Sequence, residues 1–441
     1  MNKNNLKKLP LGISDFKKII KGKQIYVDKT QFIYQMITSG DYYFLSRPRR
    51  FGKSLLVSTL EALFSGNKDL FKDLWIAKSD WSWSTHPVIK IDFSRIDYSS
   101  VARLEKSIAK CLRTIAKRYK VSLEKTESIK DLFGELIDKL ALKNSVVLLV
   151  DEYDKPILDH IDNVAEAKAQ REVLKNFYSV IKSVDQSLQF VLLTGVSKFA
   201  KTSVFSGINN LEDISLDRTY AALLGYTNEE LVHYFSSHIQ RFADESNKAP
   251  NEIIDQLRIT YDGYQFTKEK ILVFNPYSVL TSLKKHEFDD YWFETGTPTF
   301  LFKLLQKKDY RPEDILAPTL NKQNLESFEP DNIPLPALLF QTGYLTVKSY
   351  DQKNNSYTLG IPNREVNSGL TVNLADTFTQ LSSNESNEYA RIIAQSLENK
   401  NMIELQKKLQ EFFNRMPYTV HVTDESKLQF VLYSPAERDV V

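Results

Sequence analysis

The sequence carries a single cysteine, Cys111, in 441 residues. A disulfide framework is therefore excluded, and a cysteine-based zinc site is not expected. A reducing, cytoplasmic setting fits that usage. An excess of one charge is missing too. The 58 basic and 56 acidic side chains leave a net charge of +2, so no global field draws the chain to nucleic acid, although a local basic groove stays open. No run approaches the about 18 apolar residues of a membrane span. The opening MNKNNLKKLPLGISDF has no apolar core of signal-peptide length, so no membrane partner is expected. Histidine is sparse as well. His233 and His238 lie five apart and do not share a helix face as an i, i+4 metal pair does, while His86, His160, His286 and His421 stand alone. Neither a histidine metal site nor a Ser–His–Asp arrangement can be read. There is no fixed-period repeat and no low-complexity tract.

What is present is a chain that is 42% hydrophobic, long enough for two or three domains. A short strand is expected near IYVDKT and a helix over 30–39. YYFLS (42–46) is a short apolar strand, and SLLVSTLEALFSG a helix. PVIKIDFS (87–94) alternates like a strand with one polar face. Helices follow over roughly 99–120 and 127–142. SVVLLVDEYD (145–154) is a continuous β-branched and leucine run ending in acids, the pattern of a central parallel strand covered on both faces. A helix over 164–185 leads to a second such run, LQFVLLTGVS (188–197). Strands alternating with helices at this spacing predict an α/β fold with a parallel sheet. TNEELVHYFSSHI then opens with a capping box, Thr227 and Glu230, and the chain reads as mostly helical to about 320. LPALLFQTGYLTVKSYD reads as helix then strand, with SYTLGIPN as hairpin partner. The rest, from about 367, is polar and helical.

The stretch SRPRRFGKSL (46–55) ends as a phosphate loop ends, with Gly52-Lys53-Ser54 at the first turn of a helix. Backbone N–H groups there point at phosphate oxygens, and the helix dipole favours their charge. Lys53 would reach the β- and γ-phosphates and the Ser54 hydroxyl would ligate Mg²⁺. The head departs from the usual pattern: Arg47 stands where the first glycine belongs, followed by Pro48, Arg49, Arg50 and Phe51. A basic turn capping a helix is the alternative. The second half of the case lies in VVLLVDEYD. Asp151 at the strand end would hold Mg²⁺ and Glu152 would polarise the attacking water, both at the sheet edge where ligands bind in open α/β folds. The strands before GKS and before DE are expected to be neighbours. In LLTGVSKF, Thr194 and Ser197 end the next strand, where a polar residue can sense the γ-phosphate, a helix cap being the alternative. Lys198, Lys201 and Arg218 are candidates for a charge-stabilising finger, in cis or from a neighbouring copy, with surface solvation the alternative for each.

These segments, with LPLGISDF, YVDKT, SVFSGINNLEDIS, YDGYQF, FNPYSVL, YWFETGTPTFL and LLFQTGYLT, run in order over about four-fifths of the chain. They resemble the bacterial and archaeal AAA-ATPase-like proteins, P-loop ATPases usually followed by a PD-(D/E)XK nuclease-like domain. In that family the arginine–proline loop is the rule. The resemblance implies a P-loop NTPase parallel sheet with helices on both faces over 1–225, a helical lid over 226–320, a small winged-helix-like module over 321–366 and a helical tail over 367–441. It implies an ATP hydrolase, with ATP and Mg²⁺ as ligands. Residues 47–55, Arg47 through Leu55, form the phosphate loop; Ser54 and Asp151 match the metal positions, and Glu152 and Thr194 the catalytic ones. Tyr26 and Asp28 would help seat the base or the loop. DNA, a second copy of the chain and a partner protein all stay open as partners. A nucleotide-dependent binding switch with little turnover, or the ATPase part of a DNA-processing or defence system, are the alternative functions. Nuclease activity is not expected. Glu425 matches the lead-in to the nuclease fold, but DESK (424–427) is followed only by residues 428–441, against a core on the order of 100 residues.

Overall fold

The computed structural model describes residues 6–126, 128–198, 204–205, 207–296, 317–326, 334–370 and 383–415. Its centre is a five-stranded sheet: β1 (Tyr42–Ser46), β2 (Val88–Asp92), β3 (Val146–Asp151), β4 (Leu188–Gly195) and β5 (Glu212–Asp213), in the order β2-β3-β4-β1-β5. Every pairing is parallel. The apolar runs explain the placement. All residues of β1 and β3 are buried, as a strand covered on both faces requires. β2 lies at an edge, and its Lys90 is half-buried in an ion pair with Glu61 at 2.9 Å.

This order corrects one expectation. β1 and β3 are not neighbours, because β4 lies between them. Val150 faces Leu193 and Leu45 faces Thr194 in register. The polar end of β4 is thus inserted between the loop after β1 and the acids after β3. Two further boundaries move. No strand forms at IYVDKT; Ile25 N–H donates to the Lys8 carbonyl, while the Asp28 carboxylate accepts from the Thr30 and Trp75 amides. β3 stops at Asp151 because Glu152 takes a left-handed conformation, φ 55°, which turns the chain out of the sheet. The helix expected over 164–185 ends at Tyr178 and resumes briefly at Val180–Ser183.

Helices flank the sheet. Lys53–Phe64 follows β1 and buries nine of its 12 residues. Val101–Arg118 and Ile129–Ala141 are amphipathic, each with a serine N-cap. Beyond the sheet, Asn228–Ser246 opens with the Thr227–Glu230 capping box. Pro250–Tyr261 and Pro276–Lys285 follow, and these helices pack with Ile25 and Val27 into a second apolar cluster. The helix Leu335–Thr342 leads through left-handed Gly343 into β7 (Thr346–Asp351) and β8 (Ser356–Gly360). With β6 (Thr319–Asn321) they form an antiparallel sheet in the order β6-β8-β7. Leu338, Leu339 and Leu359 of this unit share the main core with the parallel strands. Helices Ser383–Glu398 and Met402–Arg415 close the described chain. Among the described residues, no helix is long and apolar enough to cross a membrane. Lys201, His421, Glu425 and residues 424–427 lie outside the described residues.

Candidate active site

The carboxyl ends of β1, β3 and β4 converge on one edge of the sheet. The loop after β1 runs from Arg47 to Gly52, whose φ of 99° suits glycine alone without strain. Lys53 starts the following helix. Its Nζ, buried, donates to the carbonyls of Arg47 and Pro48 at 2.8 and 2.9 Å. Burial holds its pKa below the ordinary lysine value, and Asp151, Glu152 and Asp154 partly oppose that shift. Ser54, one residue on, is half-buried.

Asp151 is 3% exposed and accepts a hydrogen bond from the Thr194 hydroxyl at 2.8 Å. That contact is possible only because β4 is the neighbour of β3. Glu152 is half-buried and strained at φ 55°; backbone strain of this kind clusters at functional sites. Burial raises its pKa above the ordinary glutamate value, with Lys53 as the main opposing charge. A carboxylate nearer neutrality is suited to take a proton. The third acid of the run, Asp154, is 1% exposed. It accepts from the Val196 and Ser197 amides and the Ser197 hydroxyl. Ser197 is thereby committed to holding the end of β4, whereas Thr194 reaches Asp151.

The three arginines of the loop separate clearly. Arg47 is 1% exposed. Its guanidinium donates to the Ser46, Ser215 and Tyr220 carbonyls and stacks 4.3 Å from the Phe266 ring. Burial lowers its pKa to about 9. Arg50 is exposed and lies 4.5 Å over the Tyr277 ring. The side chain of Arg49 forms no hydrogen bond or ion pair among the described residues. It is half-buried, and its charge acts on Lys53 and on Tyr98. The Arg49 carbonyl accepts from the Trp292 indole at 3.1 Å. Pro48 is buried, and Phe51 packs edge-on against Tyr264 and Phe266. Of the finger candidates, Lys198 is buried in an ion pair with Asp213 at 2.9 Å, and Arg218 is exposed.

Beside Gly52 and Leu55 opens a mostly apolar cleft, lined among others by Ile25, Val27, Leu224 and Tyr226. Tyr26 and Lys29 also line it. Lys29 Nζ donates to the Ala222 carbonyl and to Glu230, both at 2.7 Å. The capping-box glutamate thus also ties the YVDKT segment to the helix Asn228–Ser246. Of the two residues expected to seat the base or the loop, Tyr26 lines this cleft and Asp28 does not, its carboxylate being engaged by the Thr30 and Trp75 amides. The alternation of Ile25 and Val27 was a usable signal, but read as a strand it pointed elsewhere.

The oxygen donors at this edge suit a hard divalent cation. Among the described residues no group of three or more His, Cys, Asp or Glu could hold an ion. Ser54 and Asp151 are the residues of this edge whose oxygens could hold such an ion beside substrate phosphates.

Residues 10–205 match the family model described as predicted AAA-ATPase. A protein of Azotobacter chroococcum mcd 1, described as "Uncharacterized protein in vnfD 5'region", is 43% identical over 373 residues, 82% of this chain and 69% of that one. No solved structure matches the chain.

Proposed function

The chain belongs to the predicted AAA-ATPase family, and from that premise we propose that it is a Mg²⁺-dependent ATP hydrolase worked by the edge formed by β1, β3 and β4. The observation that carries this reading is the convergence of Lys53, the Thr194–Asp151 pair and the strained Glu152 on one edge. In this reading, residues 47–55 form the phosphate loop, and Lys53 exchanges the Arg47 and Pro48 carbonyls for phosphate oxygens. Ser54 and Asp151 would hold Mg²⁺, which when bound would supply positive charge to the transferred phosphoryl group. Thr194 keeps the Asp151 carboxylate aimed at that position. Glu152 takes a proton from water, whose oxygen bonds to the γ-phosphorus as the bond to the ADP oxygen breaks. The cleft beside Leu55 takes the base, with Ile25, Val27 and Leu224 against its faces.

Arg49 is the loop arginine assigned to the phosphates, since Arg47 and Arg50 are engaged elsewhere. Trp292 connects the loop to the helical region, and Glu365 accepts from the Trp292 amide. This chain of contacts gives ATP binding a route to move Trp292 and Glu365 with the loop. The test is titration of a fluorescent ATP analogue into the full chain. Wild type binds and Lys53→Ala does not, because a phosphate loop without its lysine loses its main cation. Equal binding by the two removes the assignment.

A further inference from the structure

The helix Val101–Arg118 carries a second, separate charge pattern. Arg103, Lys106, Lys110, Arg113 and Lys117 are all exposed, at successive spacings of three and four residues. At about 3.6 residues per turn these positions fall in an arc of about 80° over about 21 Å of helix. No acidic residue lies in that arc; Glu105, the helix's acid, projects nearer the core side, and Ser107 and Thr114 flank the row. The opposite face is spent, because Leu104, Ile108, Leu112 and Ile115 are in the core.

Little local charge compensates the row. Arg103 lies 3.9 Å from Asp97, both exposed, and Arg113 donates to the Thr126 carbonyl at 2.8 Å. Lys106, Lys110 and Lys117 have no side-chain partner among the described residues. Like charges three and four apart cost a helix about 0.2–0.5 kcal/mol per pair. Elsewhere the chain avoids this: Ile129–Ala141 mixes Lys130, Asp131, Glu135, Asp138 and Lys139. With the whole chain at +2, the row is a local segregation, not a consequence of bulk charge.

We propose that this face binds the phosphodiester backbone of a nucleic acid duplex, without reading its bases. Five cations in a straight row match a line of phosphates, and the Ser107 hydroxyl beside them adds a donor of the kind that contacts backbone oxygens, the Thr114 hydroxyl being spent on the Lys110 carbonyl at 2.8 Å. A membrane surface is the poorer partner, because an interfacial helix must insert an apolar face and this helix has none left. The row begins just after Tyr98, whose hydroxyl donates to Asp159 at 2.6 Å and whose charge environment includes Glu152. A bound duplex would therefore start at the edge that holds the candidate active site. The proposal does not rest on ATP turnover.

The test is fluorescence anisotropy of labelled duplex DNA and duplex RNA against the full chain over a series of salt concentrations. Neutralising about five phosphates gives a log–log salt slope of about −4.5. The triple variant Lys106→Gln, Lys110→Gln, Lys117→Gln removes exposed, unpartnered charges, and should reduce that slope by about three. Binding of either duplex in this way supports the proposal, and the two titrations assign which is taken. No binding of either at low salt, an unchanged slope in the triple variant, or co-sedimentation with phosphatidylserine vesicles in place of duplex binding overturns it. Steady-state phosphate release is read in parallel. The triple variant should leave it at the wild-type rate without duplex, so failure here and failure of the ATPase reading remain distinguishable.

Discussion

Glu365 offers a sharp physical test of how the fold is held behind the loop. Its side chain is fully buried and accepts from the Ser278 hydroxyl at 2.8 Å and the Trp292 amide at 2.6 Å. Among the described residues no cation is paired with it. Burial pushes its pKa up to about 8 from an ordinary 4.5, against the pull of those two donors. The folded state therefore holds a proton that the unfolded chain releases above its ordinary value. The contribution to stability is fully present below the unfolded pKa and is lost as pH rises through the folded one. The gap, at about 1.36 kcal/mol per pH unit, sets an upper limit of about 5 kcal/mol; water entering the site relaxes part of this, and about 2–3 kcal/mol is the expected loss. Glu365→Gln keeps the shape and the acceptor oxygen without the proton. Urea denaturation at about pH 5 and pH 8.5 should show wild type weakening by more than the variant, the difference being this residue's share. Asp262, also raised by burial, to about 6, contributes equally to both proteins and drops out. A variant that is less stable by the same amount at both pH values would refute the reasoning, because it would mean that Glu365 is ionised and bonded throughout.

Three further outcomes follow from the geometry. Arg47→Ala leaves three buried carbonyls without their donor, which should lower stability by about 3 kcal/mol in thermal denaturation; Lys at this position should not rescue it, since a point charge cannot reproduce the fork. Loss of nucleotide binding with stability intact would instead return Arg47 to the phosphates. Gly263→Ala would set a Cβ 2.2 Å from the Pro362 carbonyl oxygen at φ +91°, so it should destabilise by about 2 kcal/mol or more. In a pH–rate profile, turnover should fall on the acid side as Glu152 takes up its proton, at a pH above the ordinary 4.5 because burial raises that pKa; an acid limb at or below the ordinary value would argue against Glu152 as base.

Much of this architecture was legible in the sequence because its signals are local. The apolar runs of β3 and β4, the Thr227–Glu230 box and the helix–hairpin at 335–360 each follow from residue spacing within one element. Strand order is not local, and the adjacency expected of β1 and β3 failed for that reason; nothing in either strand's own residues says that β4 will lie between them. The same limit applies to the arginines. Arg47, Arg49 and Arg50 look alike in a row, and only the positions of Ser215, Phe266 and Tyr277, more than 160 residues downstream, separate them. The apolar cleft was hidden for a third reason, since its walls come from residues near 25, 55 and 224.

The central claim is that Glu152 activates water for attack on ATP bound at Lys53. Steady-state phosphate release with ATP and Mg²⁺, run beside equilibrium ATP binding for wild type and Glu152→Gln, tests it most directly. ATP binding is expected to agree within a few-fold in both proteins, with turnover in the variant reduced by about 100-fold or more. Turnover retained in Glu152→Gln, or absent from the wild type despite ATP binding, would contradict it.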